Sequence, residues 1–208
     1  MKIFERSLLL FFILTILCCH IVIACGDDSV VCRAEMADIA LDTREYAIQK
    51  FGLPIAEQPI FSDISESKYA YRIESAHIEG LVSGVGGGKY EPERTVGSYE
   101  AISVFYRVIK RIEKLNNDWN DVELIQQEEI ENNITSDVPE WCKEAYAYLK
   151  SKGYLEFCGQ DYDFSSPFSR KQIFELSNQI KNNYSTGDDG EKIDFETFIE
   201  RLQKRISE

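Results

Sequence analysis

A passage near the middle of the chain comes back altered further down, and this internal repeat limits the fold more than any other feature. The first copy runs from Phe61-Ser-Asp-Ile through Gly80-Leu-Val-Ser-Gly-Val-Gly-Gly-Gly-Lys-Tyr-Glu-Pro to Val96-Gly-Ser-Tyr-Glu. The second runs from Asp137-Val-Pro-Glu-Trp-Cys-Lys-Glu-Ala through Lys152-Gly-Tyr-Leu-Glu-Phe to Pro167-Phe-Ser-Arg-Lys-Gln. Landmarks recur at a nearly fixed offset: Asp63 with Asp137, Tyr69 with Trp141, Gly80 with Gly153, Tyr90 with Phe164. Repeats bury their apolar faces against one another, so binding surfaces are expected in grooves between copies rather than in one catalytic pocket.

Apolar residues return at helical spacing after each landmark. Ala37, Ala40, Leu41 and Ala47 share a face, as do Ile102, Phe105, Ile109 and Ile112, then Ala145 and Leu149, then Ile173, Leu176 and Ile180, and last Phe195, Phe198, Leu202 and Ile206. Five amphipathic helices are predicted, with a shorter one around Tyr69 to Ile78. Gly80 and Gly153 stand where such helices must stop, because a left-handed residue after the last turn costs little only for glycine. The Asn/Asp/Glu-rich stretch 116–133 is read as a linker, part of which packs down through Trp119, Val122, Leu124 and Ile125, and 184–192 as a second solvated loop.

Four of these helices start on all or part of a capping-box pattern, in which a hydroxyl accepts a first-turn N–H and an acid or amide three residues on reaches back to the cap N–H. Ser169-Arg-Lys-Gln172 keeps both halves, Gly97-Ser-Tyr-Glu100 and Cys32-Arg-Ala-Glu35 keep the acid, and Asp194-Phe-Glu-Thr197 keeps the cap. The second residue of each box lies beside unpaired N–H groups at the positive end of the helix. Arginine there adds a fork that can hold a carboxylate. Arg33 and Arg170 occupy that position, whereas Ser98 and Phe195 do not, which predicts a weakened groove on the central repeat.

Both copies resemble the S-layer homology (SLH) module of bacterial surface proteins, whose pattern runs F-x-D-V-x-x-x-W-A, G-I-I-x-G-x-x-x-G-x-F-x-P, I-T-R-A-E-F-A. Residues 80–100 fit its middle and end without insertion, Asp137-Val-Pro-Glu-Trp-Cys-Lys-Glu-Ala fits its beginning, and Val31-Cys-Arg-Ala-Glu-Met-Ala forms a further half-copy. The resemblance covers most of residues 26–184. It implies an all-α fold of tandem helix–loop–helix repeats about a pseudo-threefold helical core. The chain then divides into a signal peptide (1–24), a partial repeat with its second helix only (25–52), a repeat (53–115), the linker (116–133), a repeat (134–184), and a C-terminal loop and helix (185–208). That last helix is expected to complete the first repeat, as in a circular permutation, unless truncation of the gene's start removed the missing helix.

Lys2 and Arg6 precede an apolar run from Leu8 to Leu17 that closes on Val22-Ile23-Ala24-Cys25, the form of a secretory signal. The ending resembles a lipobox, which makes Cys25 the candidate lipidation site; plain cleavage and an uncleaved membrane anchor are the alternatives. Net charge is −13, and losing Lys2, Arg6 and Glu5 makes the remainder one unit more negative. Nucleic acid is disfavoured as a partner because no basic footprint is visible. An acidic glycan would have to be held locally by a few arginines. Cys142 and Cys158 are the candidate disulfide pair, against the plainer reading of buried free thiols.

Other chemistry finds little support. The loop Gly84-Val-Gly-Gly-Gly-Lys89-Tyr90 lacks the first glycine and the Ser/Thr of a phosphate loop, and a tight turn exposing backbone to a glycan fits better. The segment from Asp188 to Phe198 puts Thr197 where a calcium loop needs glutamate. His77 is the only histidine beyond the signal, so no His-based metal site is expected, nor a Ser-His-Asp triad. No pair of acids is singled out for glycoside hydrolysis, and neither a cofactor nor an enzyme activity is expected.

By resemblance the chain is a non-catalytic attachment module for cell-wall polysaccharide or peptidoglycan, at the cell surface or wall, held to the membrane by lipid or an uncleaved signal. Arg33, Arg170, Tyr69, Trp141, Gly84 and Gly86 are the candidate glycan-binding residues. For Tyr69 and Trp141, packing competes with sugar stacking. The alternative function is a surface lipoprotein whose degenerate repeats form a protein–protein scaffold.

Overall fold

Each apolar stripe that falls within the described residues becomes the buried face of a helix. The computed structural model describes residues 29–48, 53–116, 137–159 and 162–184. They form α1 (Arg33–Ile48), α2 (Ala70–Ile78), α3 (Ser98–Asn116), α4 (Lys143–Ser151) and α5 (Arg170–Tyr184), with 3-10 turns at Glu140–Cys142 and Glu156–Cys158. Among the described residues there is no strand, only isolated bridges such as Val30 with Ser169 and Cys32 with Thr95, so the described part of the chain is all-α in class. The expected linker beyond Asn116, which itself ends α3, and the stripe from Phe195 to Ile206 lie outside the described residues, as do the expected signal segment and Cys25.

The three helices that begin at a capping box, α1, α3 and α5, touch one another pairwise, while α2 packs on α1 and α4 on α3. Ile102, Phe105, Ile109 and Ile112 of α3 are wholly buried, as are Ile173, Leu176 and Ile180 of α5. Each large apolar side chain so buried contributes roughly 1.5–3 kcal/mol. Helix α1 goes further than its predicted stripe: Met36 and Ile39 are buried together with Ala37, Ala40, Leu41 and Ala47. Its alanines let α2, α3 and α5 close in from several sides, so α1 is the hub of the fold.

Burial on several sides forces α1's polar groups to find partners. Thr43 Oγ1 donates to Ile39 O at 2.6 Å and meets Ser177 Oγ of α5 at 2.7 Å. Lys181 of α5 pairs with Asp42 at 2.7 Å. On the other side Arg72 of α2 reaches Asp38 at 2.5 Å and Glu45 at 3.2 Å. Glu79, just past α2, is gripped by Arg44 of α1 and Arg111 of α3, both at 2.6 Å. Removing one member of such a pair leaves the other charge buried, so these contacts fix register between helices as well as adding attraction.

The helix boundaries repeat as the landmarks do. After α2, Gly80 N–H donates to His77 O and Leu81 N–H to Ala76 O; after α4, Gly153 N–H donates to Lys150 O and Tyr154 N–H to Leu149 O. Both are Schellman stops, with Gly80 at φ +78° and Gly153 at +77°. The capping boxes also form. Cys32 N–H donates to Glu35 at 3.2 Å and Gly97 N–H to Glu100 at 3.0 Å. The box at Ser169 is reciprocal, its N–H donating to Gln172 Oε1 at 2.9 Å while Gln172 N–H donates to Ser169 Oγ at 3.3 Å.

Candidate functional site

A cavity of about 710 Å³ opens between the start of α1, the glycine-rich loop, the Glu100–Arg107 side of α3 and the 3-10 turn before α4. Arg33, Gly84, Tyr90, Glu100, Arg107 and Trp141 are among the residues lining it. Arg33, Gly84 and Trp141 were singled out in the sequence on three different repeat segments, and the fold brings them to one place.

The loop wall is held from below. Gly86, Gly87 and Gly88 all have positive φ, at 102°, 59° and 71°, and the reversal closes with Val85 N–H donating to Lys89 O at 2.9 Å. Gly84 is required for a different reason. A Cβ there would come within 2.6 Å of the Phe61 ring and 2.7 Å of Lys89 O. The Asp63 carboxylate accepts Tyr90 N–H and Glu91 N–H at 2.8 Å each, steadying Glu91 at φ 59°. Slight desolvation opposes ionisation of Asp63, but those two N–H bonds outweigh it and hold its pKa below the ordinary value. His77 Nδ1 meets Val82 O at 3.1 Å and its ring packs edge-on against Phe61, so this histidine supports the loop.

Arg33 is clasped by the same loop. Its Nε donates to Tyr90 O at 2.7 Å and its Nη2 to Ser83 O at 2.6 Å, and its guanidinium carbon lies 4.4 Å from the Tyr90 ring centroid. The Tyr90 hydroxyl donates back to Arg33 O at 2.9 Å. The third nitrogen, Nη1, is 3.5 Å from Glu100. Glu100 in turn is forked by Arg94, at 2.6 and 3.0 Å. Burial would raise the Glu100 pKa, yet Arg94, the Gly97 N–H and Arg33 together hold it below 4.5.

Arg170 stands in the equivalent place on the α1–α5 seam. Its Nη2 lies 3.0 and 2.9 Å from the two oxygens of Glu35, and its Nε donates to Ser29 Oγ at 3.1 Å. In both settings the box arginine of one helix meets the box acid of the next, an interlock that no local pattern announces. The central position is filled otherwise: Ser98 is buried, and its hydroxyl donates to Ser166 O.

The two aromatic landmarks part company. Trp141 is 62% exposed and lies on the cavity wall. Tyr69 is half-buried and packed against the core, where burial pushes its hydroxyl up to about 12 and where it senses Glu35 and Arg170. Arg170, Tyr69 and Gly86 do not line the cavity.

The described cysteines, Cys32, Cys142 and Cys158, are free thiols. The candidate pairing of Cys142 with Cys158 is not made, because Cys142 Sγ faces α3, donating to Tyr99 O at 3.3 Å and accepting from Ser103 Oγ at 3.4 Å. Among the described residues no three His, Cys, Asp or Glu side chains converge as metal ligands would. No described helix is long and apolar enough to cross a membrane.

The residues missed in the sequence are Arg94 and Arg107. Arg94 could be suspected from its spacing to Glu100; Arg107 is a lone cation between Tyr106 and Val108 in a helix and becomes visible only when α3 is placed against the loop. No protein-family model matches the chain, and no curated protein matches it.

Proposed function

We propose that this chain is a non-catalytic cell-envelope attachment module that binds cell-wall polysaccharide or peptidoglycan in the groove between its repeats. In this reading α1, α3 and α5 are the second helices of SLH-like repeats around a pseudo-threefold core, and the module sits outside the membrane, held by lipid on Cys25 or by an uncleaved signal. The observation that carries it is the meeting of Arg33, Gly84 and Trp141, from three separate segments of the chain, on one cavity of about 710 Å³. An exposed indole offers an apolar plate for a sugar ring, carbonyls and hydroxyls along the wall offer partners for sugar hydroxyls, and the arginines supply positive charge inside a chain of net charge −13.

Co-sedimentation of residues 25–208 with purified wall sacculi tests the proposal, before and after acid stripping of secondary polysaccharide. Binding to intact sacculi is expected. Survival of binding after stripping assigns the ligand to peptidoglycan, and its loss assigns it to the polysaccharide. Absence of binding to either form overturns the proposal in favour of a protein partner.

A further inference from the structure

We infer that Arg107, and not Arg33, is the cation that meets an anionic sugar substituent in this groove; the inference rests on the wall-glycan reading above and deepens it. Arg33 has its Nε and one terminal nitrogen on Tyr90 O and Ser83 O, its other terminal nitrogen turned to Glu100, and its face on the Tyr90 ring. Such a guanidinium is a structural clamp with little left to offer a ligand.

Arg107 differs on each count. It lies seven residues after Glu100, two turns along α3, so Glu100, Ser103, Val104 and Arg107 make one stripe along the cavity. It is only partly buried, and its hydrogen bond to Leu81 O is long at 3.4 Å. Among the described residues no carboxylate is paired with it. Burial lowers its pKa from the ordinary arginine value, offset only by the nearby Cys142 thiol, whereas a carboxylate beside it would do the reverse. Glu100, the carboxylate on the same stripe, is already forked by Arg94.

The outcome is a fork with open donors facing a cavity that also exposes Trp141. A planar guanidinium partly stripped of water favours a carboxylate or phosphate that can accept two parallel N–H bonds. With the indole on the same cavity, the site suits a sugar that carries its negative charge to one side of the ring.

The test compares the parent chain with Arg107→Gln, Arg107→Lys and Arg33→Gln by equilibrium co-sedimentation on intact, acid-stripped and carboxyl-reduced sacculi, with a melting curve for each variant. Arg107→Gln is expected to bind intact sacculi at least tenfold more weakly at an unchanged melting point, and Arg107→Lys to fall between. Arg33→Gln is expected to lower the melting point. Loss of parent binding on carboxyl reduction identifies a carboxylate; loss on acid stripping with carboxyls intact identifies the secondary polysaccharide's own anion. Parent-like binding by Arg107→Gln overturns the inference and leaves the wall-binding proposal standing. Absence of parent binding overturns that proposal instead, and titration with glucuronate, followed by the arginine Nε–H NMR signals, then decides for Arg107: a shift of its signal alone retains it, and no shift overturns it.

Discussion

Arg170 holds both oxygens of Glu35, at 2.9 and 3.0 Å, while the same Glu35 carboxylate accepts the Cys32 N–H at the start of its own helix. One acid thus caps α1 and ties it to α5. The pair is about a quarter exposed, so solvent screening limits its strength. A double-mutant cycle on Arg170→Ala and Glu35→Gln, read by urea unfolding, should give a coupling energy of about 1 kcal/mol, the upper end for partly exposed pairs. A coupling near zero would show that the interlock adds nothing to stability.

Glycines at the two Schellman stops should behave alike, and Gly84 differently. Gly80→Ala and Gly153→Ala each force an L-residue into the left-handed region at a cost of about 1–2 kcal/mol. The two penalties should agree closely, because Gly80 has open space and Gly153 meets only the flexible end of Glu156. Gly84→Ala should cost about 1–3 kcal/mol by overpacking and should also deform the cavity, since its Cβ would press on Phe61 and on backbone. Thermal melts of the three variants check the ranking.

Glu100 sets an acid limit on stability. Its folded pKa lies below the unfolded value of 4.5, so its contribution is present in full above that value and lost as pH falls through the folded one. Chemical denaturation from neutral pH down to about pH 3 should show the gap between the parent and Glu100→Gln narrowing. A gap that stays constant would mean that Arg94 and Arg33 do not favour the charged form.

Trp141 and Tyr69 should separate binding from stability. Trp141→Ala should weaken sacculus binding with little change in melting point, because the indole is largely exposed. Tyr69→Ala should lower the melting point by removing a ring packed against the core. The reverse pattern would exchange their roles.

The described thiols should be poor nucleophiles. Burial pushes the Cys158 thiol up to about 12 and raises Cys142 and Cys32 from 9.0. At about pH 8, iodoacetamide should label peptides carrying these cysteines at least tenfold more slowly in the folded than in the denatured protein. The sign of the linkage is opposite to that of Glu100: the stabilisation is full below 9.0 and is lost as pH rises through the folded values. Rapid labelling of Cys158 in the native protein would contradict its burial.

What was legible in the sequence is what depends on neighbours along the chain. The stripes of α3 and α5, the stops at Gly80 and Gly153 and the boxes at Glu35, Glu100 and Gln172 are local, and all appear where the pattern put them. The clasp of Arg33 by Tyr90 spans 57 residues and the grip of Arg170 on Glu35 spans 135. Residue type announces such a cation but not its partner. For the same reason Tyr69 and Trp141, matched in the repeat, could not be told apart until α2 was seen to pack on the hub helix and the 3-10 turn to face the cavity.

The helix that touches α2, α3 and α5 is also the first of the five to be synthesised. Its alanine-lined surfaces leave the ribosome with nothing to cover them: α2 and α3 arrive only after residues 70–116 emerge, and α5 only with residues 170–184. Closure of the core therefore waits on contacts between the ends of the described chain, the kind of distant pairing that slows folding and prolongs exposure of apolar surface. Until residues 170–184 are made, the side of α1 that α5 covers in the folded protein is open to solvent and to other nascent chains.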